Sequence, residues 1–117
     1  MKKVVIVSPD PLFAPLAERL LTPRFTTVAL GGMIPAVDSI YNDIPDLVIV
    51  DIAAEEAPTV ESLNTLKGDP MFNQLPVLLV TGDRPPTTPW EGLFAEDYLR
   101  KDDLERDLLP RSLLATV

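Results

Sequence analysis

The chain has 117 residues, a net charge of −8, no cysteine and no histidine. That length fits one domain that can bury a core without metal or disulfide staples. The missing residue types exclude a disulfide framework, a thiolate nucleophile, a cysteine zinc site and phosphohistidine chemistry. The acidity opposes contact with nucleic-acid phosphates or an anionic membrane, and no apolar run approaches the ~20 residues of a membrane span. The expectation is a soluble, cytoplasmic protein.

Lys2 and Lys3 lead into a first run, Val4 to Val7, too short for the apolar region of a signal peptide. It is continuously apolar and β-branched, as are Leu47 to Val50 and Val77 to Val80. Strands covered on both faces read this way, as in a parallel sheet flanked by helices. Leu12, Phe13, Leu16, Ala17, Leu20 and Leu21 recur at helical spacing, with Pro15 predicting a late start or a bend. Phe25 to Leu30 is a second strand, ended by Gly31 and Gly32. Met33, Ile34, Val37, Ile40 and Tyr41 form a second helical stripe. Val60, Leu63, Leu66 and Lys67 form a third, opened by Pro58 and closed by Gly68, with Glu55, Glu56 and Glu61 near its start. Ala95 to Leu99 reads as a fifth strand. Leu104, Leu108 and Leu109 mark a last helix capped by Asp102 or Asp103.

A fourth helix belongs between the fourth and fifth strands, in GDRPPTTPWEG (82–92). Three of the chain's 13 prolines, Pro85, Pro86 and Pro89, fall there. Each lacks a donor N–H and restricts its predecessor, so an irregular segment is expected, with Trp90 covering apolar surface. The alternation of strands and helices predicts a single doubly wound α/β domain over residues 1–117.

PDLVIVD (45–51), LPVLLVTG (75–82) and DYLRK (97–101) together resemble three landmarks of the receiver domains of two-component response regulators. The resemblance covers nearly the whole chain. It implies a flavodoxin-like five-stranded parallel sheet in the order 2-1-3-4-5, with the fourth helix degraded here. It also implies that Asp51 is the phosphoacceptor, that Thr81 and Lys101 contact the phosphoryl group, and that Tyr98 is the switch aromatic. The chemistry suits these types at the carboxyl ends of strands: a carboxylate can attack phosphorus, an ammonium can neutralise the product, and a hydroxyl can bond a phosphoryl oxygen.

The departures matter as much. Receivers carry an acidic pair after the first strand to hold Mg²⁺; here Ser8 and Pro9 occupy those positions, with Asp10 late in a loop whose Pro9 and Pro11 leave it little freedom to turn inward. Mg²⁺ asks for hard anionic oxygens, so no cofactor is expected unless Asp10 and Asp51 compensate. Glu55 and Thr59 replace a usual proline and glycine, and Asp102 replaces the proline after the lysine. The leading expectation is a non-enzymatic pseudo-receiver acting by protein–protein contact, its partner a signalling protein such as a histidine kinase or an attached output domain. The KDDLERDLLPRSL ending is similar to receivers inside longer sensor kinases. One alternative is a working phosphoacceptor modified on Asp51 by a histidine kinase. A lesser one is a ligand-binding or enzymatic domain of the same fold, although VSPDPLF lacks the phosphate loop of a flavodoxin and the chain lacks the histidine of a cobalamin carrier.

Overall fold

The structure is a computed structural model and describes residues 1–52, 57–82 and 97–117. Five parallel strands form one sheet: β1 (Lys2–Val7), β2 (Phe25–Leu30), β3 (Leu47–Asp51), β4 (Val77–Thr81) and β5 (Asp97–Arg100). Their order is β2-β1-β3-β4-β5, as the resemblance implied. Among the described residues the helices are α1 (Phe13–Leu21), α2 (Met33–Asn42), α3 (Ala57–Gly68) and α4 (Leu104–Ala115), the last entered through a 3₁₀ turn at Lys101–Asp103. No helix among the described residues is long and apolar enough to cross a membrane. The expectation for residues 82–92 falls almost wholly outside the described residues, Trp90 included, as do the side chains of Glu55, Glu56, Thr59 and Glu61.

The continuous apolar runs are buried for the reason their composition gives. Along β1, β3 and β4, alternate side chains enter opposite cores. Val5, Val7, Val48, Val50, Val77 and Leu79 pack with α2 and α3, including Met33, Ala36, Ile40, Leu63 and Leu66. Val4, Ile6, Leu47, Ile49, Leu78 and Val80 pack with α1 and α4, including Phe13, Ala17, Leu21, Leu104 and Leu108. Every residue of β3 and β4 is buried. Each fully covered Val, Leu or Ile contributes about 1.5–3 kcal/mol, which fixes the central strands and hence the positions of the residues at their ends.

Several local expectations need correction. α1 does start late, at Phe13, with Pro15 in its first turn. That leaves Leu12 outside the helix and 79% exposed instead of on the buried stripe. In α2, Ile34 is 81% exposed and Ala36 is buried in its place, because Met33, Ala36 and Ile40 face the sheet and Ile34 lies a third of a turn away. The described part of the fifth strand is Asp97–Arg100, one residue beyond the expected end at Leu99; Ala95 lies outside the described residues. Asp103 occupies the N-cap position of α4 without a side-chain cap hydrogen bond. Its carboxylate pairs with Arg100 and Arg106 instead.

On β5, Asp97 Oδ1 accepts both the Tyr98 N–H (2.8 Å) and Arg111 from α4 (2.7 Å). Arg111 also donates to the Tyr98 carbonyl at 3.0 Å. At the far end of α4, Ser112 is fully buried, and its hydroxyl has no hydrogen-bond partner among the described residues.

Candidate functional site

The strand register gathers the chemistry. Val7 pairs with Val50, so Ser8 and Asp51 come next to each other at the ends of β1 and β3. Asp51 pairs with Val80, which sets Thr81 one residue further along on β4. Thr81 pairs with Arg100, and Lys101 follows directly. Four neighbouring strands therefore deliver Ser8, Asp51, Thr81 and Lys101 to one end of the sheet.

The side chains meet there. Ser8 Oγ donates to Asp51 Oδ2 at 2.7 Å. Lys101 Nζ lies 3.0 Å from the same Oδ2 and 3.2 Å from Asp10 Oδ2, so one ammonium bridges two carboxylates. Ser8 Oγ also accepts the Asp10 N–H at 3.0 Å, and Asp10 Oδ1 accepts the Leu12 N–H at 2.9 Å. The Asp51 side chain is fully buried, whereas those of Lys101 and Asp10 are about a third exposed. Lys101 further lies over the Phe13 ring, 5.5 Å from its centroid, close enough for a cation–π attraction.

The electrostatics follow from these contacts. Partial burial alone would lower the Lys101 pKa, but the hydrogen bonds to Asp51 and Asp10 and their charges outweigh it and raise it above the ordinary lysine value. The Leu12 N–H first, and Lys101 second, hold the Asp10 carboxyl below its usual range. Asp10 was expected to be kept from turning inward by its flanking prolines. Its carboxylate nevertheless reaches the Lys101 ammonium, because the turn that its own Oδ1 stabilises with Leu12 points Oδ2 that way.

The sequence-derived residues divide accordingly. Asp51, Lys101, Ser8 and Asp10 form one connected network. Thr81 is buried on the adjacent strand, and its hydroxyl makes a long 3.4 Å contact to the Gly82 carbonyl. Tyr98 is half-buried and packs against the core on the α2–α3 side. Pro9 brings no polar side-chain atom. Sequence reasoning missed two participants: Ser8 as a direct partner of Asp51, and Phe13 beneath the lysine. The Ser8 contact had a usable signal, since placing β1 beside β3 in register makes residues 8 and 51 neighbours.

No family model matches the chain, and no curated protein matches it. Solved structures do. A candidate response regulator from Chloroflexus aurantiacus aligns with a TM-score of 0.87 at 22% identity, covering 98% of this chain and 97% of that one. The signal receiver domain of a histidine kinase from Syntrophus aciditrophicus aligns at 0.82 and 22% identity, covering 99% and 90%. The N-terminal domain of a response regulator receiver protein from Methanoculleus marisnigri aligns at 0.74 and 25% identity, covering 95% and 93%. The chain has the receiver fold. In that fold the carboxyl ends of the strands, at the topological switch point between β1 and β3, form the usual ligand crevice. The network of Ser8, Asp10, Asp51 and Lys101 occupies that place.

Among the described residues no group of three acidic side chains converges to hold a metal ion. Ser8 supplies a neutral hydroxyl whose proton is given to Asp51. Asp10 Oδ2 and Asp51 Oδ2 already share the Lys101 ammonium. Mg²⁺ demands several hard, largely anionic oxygens in near-octahedral array, and among the described residues this place offers one hydroxyl and two carboxylates shared with a lysine.

Proposed function

We propose that the chain is a receiver-type signalling module that works by protein–protein contact, with weak or absent Mg²⁺-dependent phosphorylation at Asp51. One observation carries this reading. The group beside Asp51 at the end of β1 is the Ser8 hydroxyl, donating to the very carboxylate that would attack a phosphoryl group. Lys101 holds the same oxygen. An oxygen engaged by two donors is a poorer nucleophile, and without a metal the repulsion between carboxylate and phosphoryl anion is met by a single ammonium. In this reading Lys101 acts as a resident cation, Thr81 and Tyr98 hold one packed arrangement, and the partner is a signalling protein that recognises the domain as it stands.

A second reading has one observation in its favour. Asp51, Thr81 and Lys101 lie on three adjacent strand ends, the placement a working phosphoacceptor needs. Incubation with acetyl phosphate and Mg²⁺, followed by intact-mass measurement, separates the two. The expected result is little or no gain. A gain of one phosphoryl group that disappears in Asp51→Asn would establish the phosphoacceptor instead. Calorimetry with MgCl₂ supplies the companion test: the double substitution Ser8→Asp with Pro9→Asp should bind Mg²⁺ more tightly than the natural chain, because it adds two carboxylates to the crevice.

A further inference from the structure

We propose that Ser8 is a positioning residue that couples the charge on Asp51 to the β1–α1 loop, so that the state of Asp51 is read out at Asp10 and Leu12. The coupling turns on one oxygen atom. A serine hydroxyl has one proton to give and lone pairs to receive. Ser8 gives its proton to Asp51 Oδ2 at 2.7 Å and receives the Asp10 N–H at 3.0 Å. Both bonds depend on the same Oγ. Donating to a carboxylate makes that oxygen a stronger acceptor, through the polarisation that runs along hydrogen-bond chains in a low-dielectric interior. Ser8 is buried and the Asp51 side chain is wholly covered, which keeps water from competing for either bond.

From Asp10 the connection continues into the start of α1. Asp10 Oδ1 accepts the Leu12 N–H, and the Asp10 carbonyl accepts the Phe13 N–H at 3.2 Å. Leu12 is among the most exposed large apolar residues of the chain, so a rearrangement of this short turn is displayed directly on the surface. Neutralising Asp51 exchanges the charged acceptor of the Ser8 proton for a weaker neutral oxygen, and covering it withdraws that acceptor. The Ser8 oxygen is then less polarised, and the bond it accepts from the Asp10 amide weakens. Lys101 also joins Asp51 to Asp10, but that route ends on the Asp10 carboxylate, whereas the Ser8 route ends on the Asp10 amide. The two are separable by reporter. The coupling rests on the preceding reading only in taking Asp51 as the group whose state changes.

The test is a double-mutant cycle read by amide NMR and hydrogen exchange on the full chain, with the natural protein, Asp51→Asn, Ser8→Ala and the combination. Asp51→Asn should shift the Asp10 amide and speed its exchange by up to about fivefold, the factor corresponding to one net hydrogen bond. Ser8→Ala should do the same. The combination should be no faster than Ser8→Ala alone. Ser8→Thr, which keeps the hydroxyl, should preserve the response to Asp51→Asn, while the Val28 amide in β2 holds still throughout as a check on the fold. An equal response at Asp10 with and without the Ser8 hydroxyl, or no response to Asp51→Asn at all, overturns the coupling. Phosphoryl labelling is read separately by mass: a gain there would overturn the preceding reading and leave the coupling measured by the cycle as it stands.

Discussion

The two ends of the sheet use the same residue types in opposite settings. At the amino end, Lys3 Nζ lies 2.7 Å from Asp43 Oδ2, and Asp43 is 73% exposed. At the carboxyl end, Lys101 Nζ lies 3.0 Å from an Asp51 whose side chain has no exposure. The shorter contact is the weaker interaction. In water-like surroundings two unit charges at this range gain roughly 1 kcal/mol, and several times more as the effective dielectric falls toward that of a protein interior. Position in the fold, more than distance, decides what an ion pair does here. The amino end tolerates its charges, and the carboxyl end depends on them.

The largest break in this contrast should come from Lys101→Met. Methionine preserves much of the apolar stem while taking the ammonium from Asp51, Asp10 and the Phe13 ring. Chemical denaturation at neutral pH should register a loss of about 2 kcal/mol, below the 3–5 kcal/mol of a fully buried pair because the lysine is partly exposed. A loss under a few tenths of a kcal/mol would mean that the carboxyl end behaves like the amino end.

A smaller effect comes from alkali. The folded-state pKa of Lys101 is raised, so its contribution is complete below the ordinary lysine pKa and disappears as pH climbs through the higher folded value. Stability in strongly alkaline buffer should therefore fall more steeply in the natural chain than in Lys101→Met. Parallel curves would show that Lys101 adds nothing to the pH dependence.

The smallest effect belongs to the amino end. Asp43→Ala should change stability by no more than about 0.5 kcal/mol, and molar salt should abolish even that. The same salt should leave most of the Lys101→Met difference standing. Equal salt sensitivity at both ends would refute the contrast.

These differences could be read only partly from the chain. The central strands were legible because runs such as LVIV at 47–50 have no polar alternation, and burial on both faces is the physical solution for them. The strand order came from resemblance to receivers, since alternation alone allows other orders. Leu12 and Ile34 were misplaced because a periodic stripe does not say where a helix begins or which way its first turn faces. At the site, Asp51, Thr81 and Lys101 were legible as strand-end residues. Ser8 was read as a missing metal ligand, and its bond to Asp51 became visible only once β1 and β3 were in register. Asp10 was misjudged from its prolines because the turn depends on its own side chain accepting the Leu12 N–H.

The fastening of Arg111 to β5 has a further consequence, for self-association. Among the described residues β5 is the last strand on its side of the sheet, and a terminal strand is a template on which another chain can lay itself down, as in runaway fibril growth. Recruitment of that kind needs vacant N–H and C=O groups along the rim. At Tyr98, midway along a strand of four residues, the N–H is given to the Asp97 carboxylate and the carbonyl is filled by the Arg111 guanidinium. A salt link between strand and helix thus serves as a stopper, and a short, charge-plugged rim offers an incoming strand little backbone to copy.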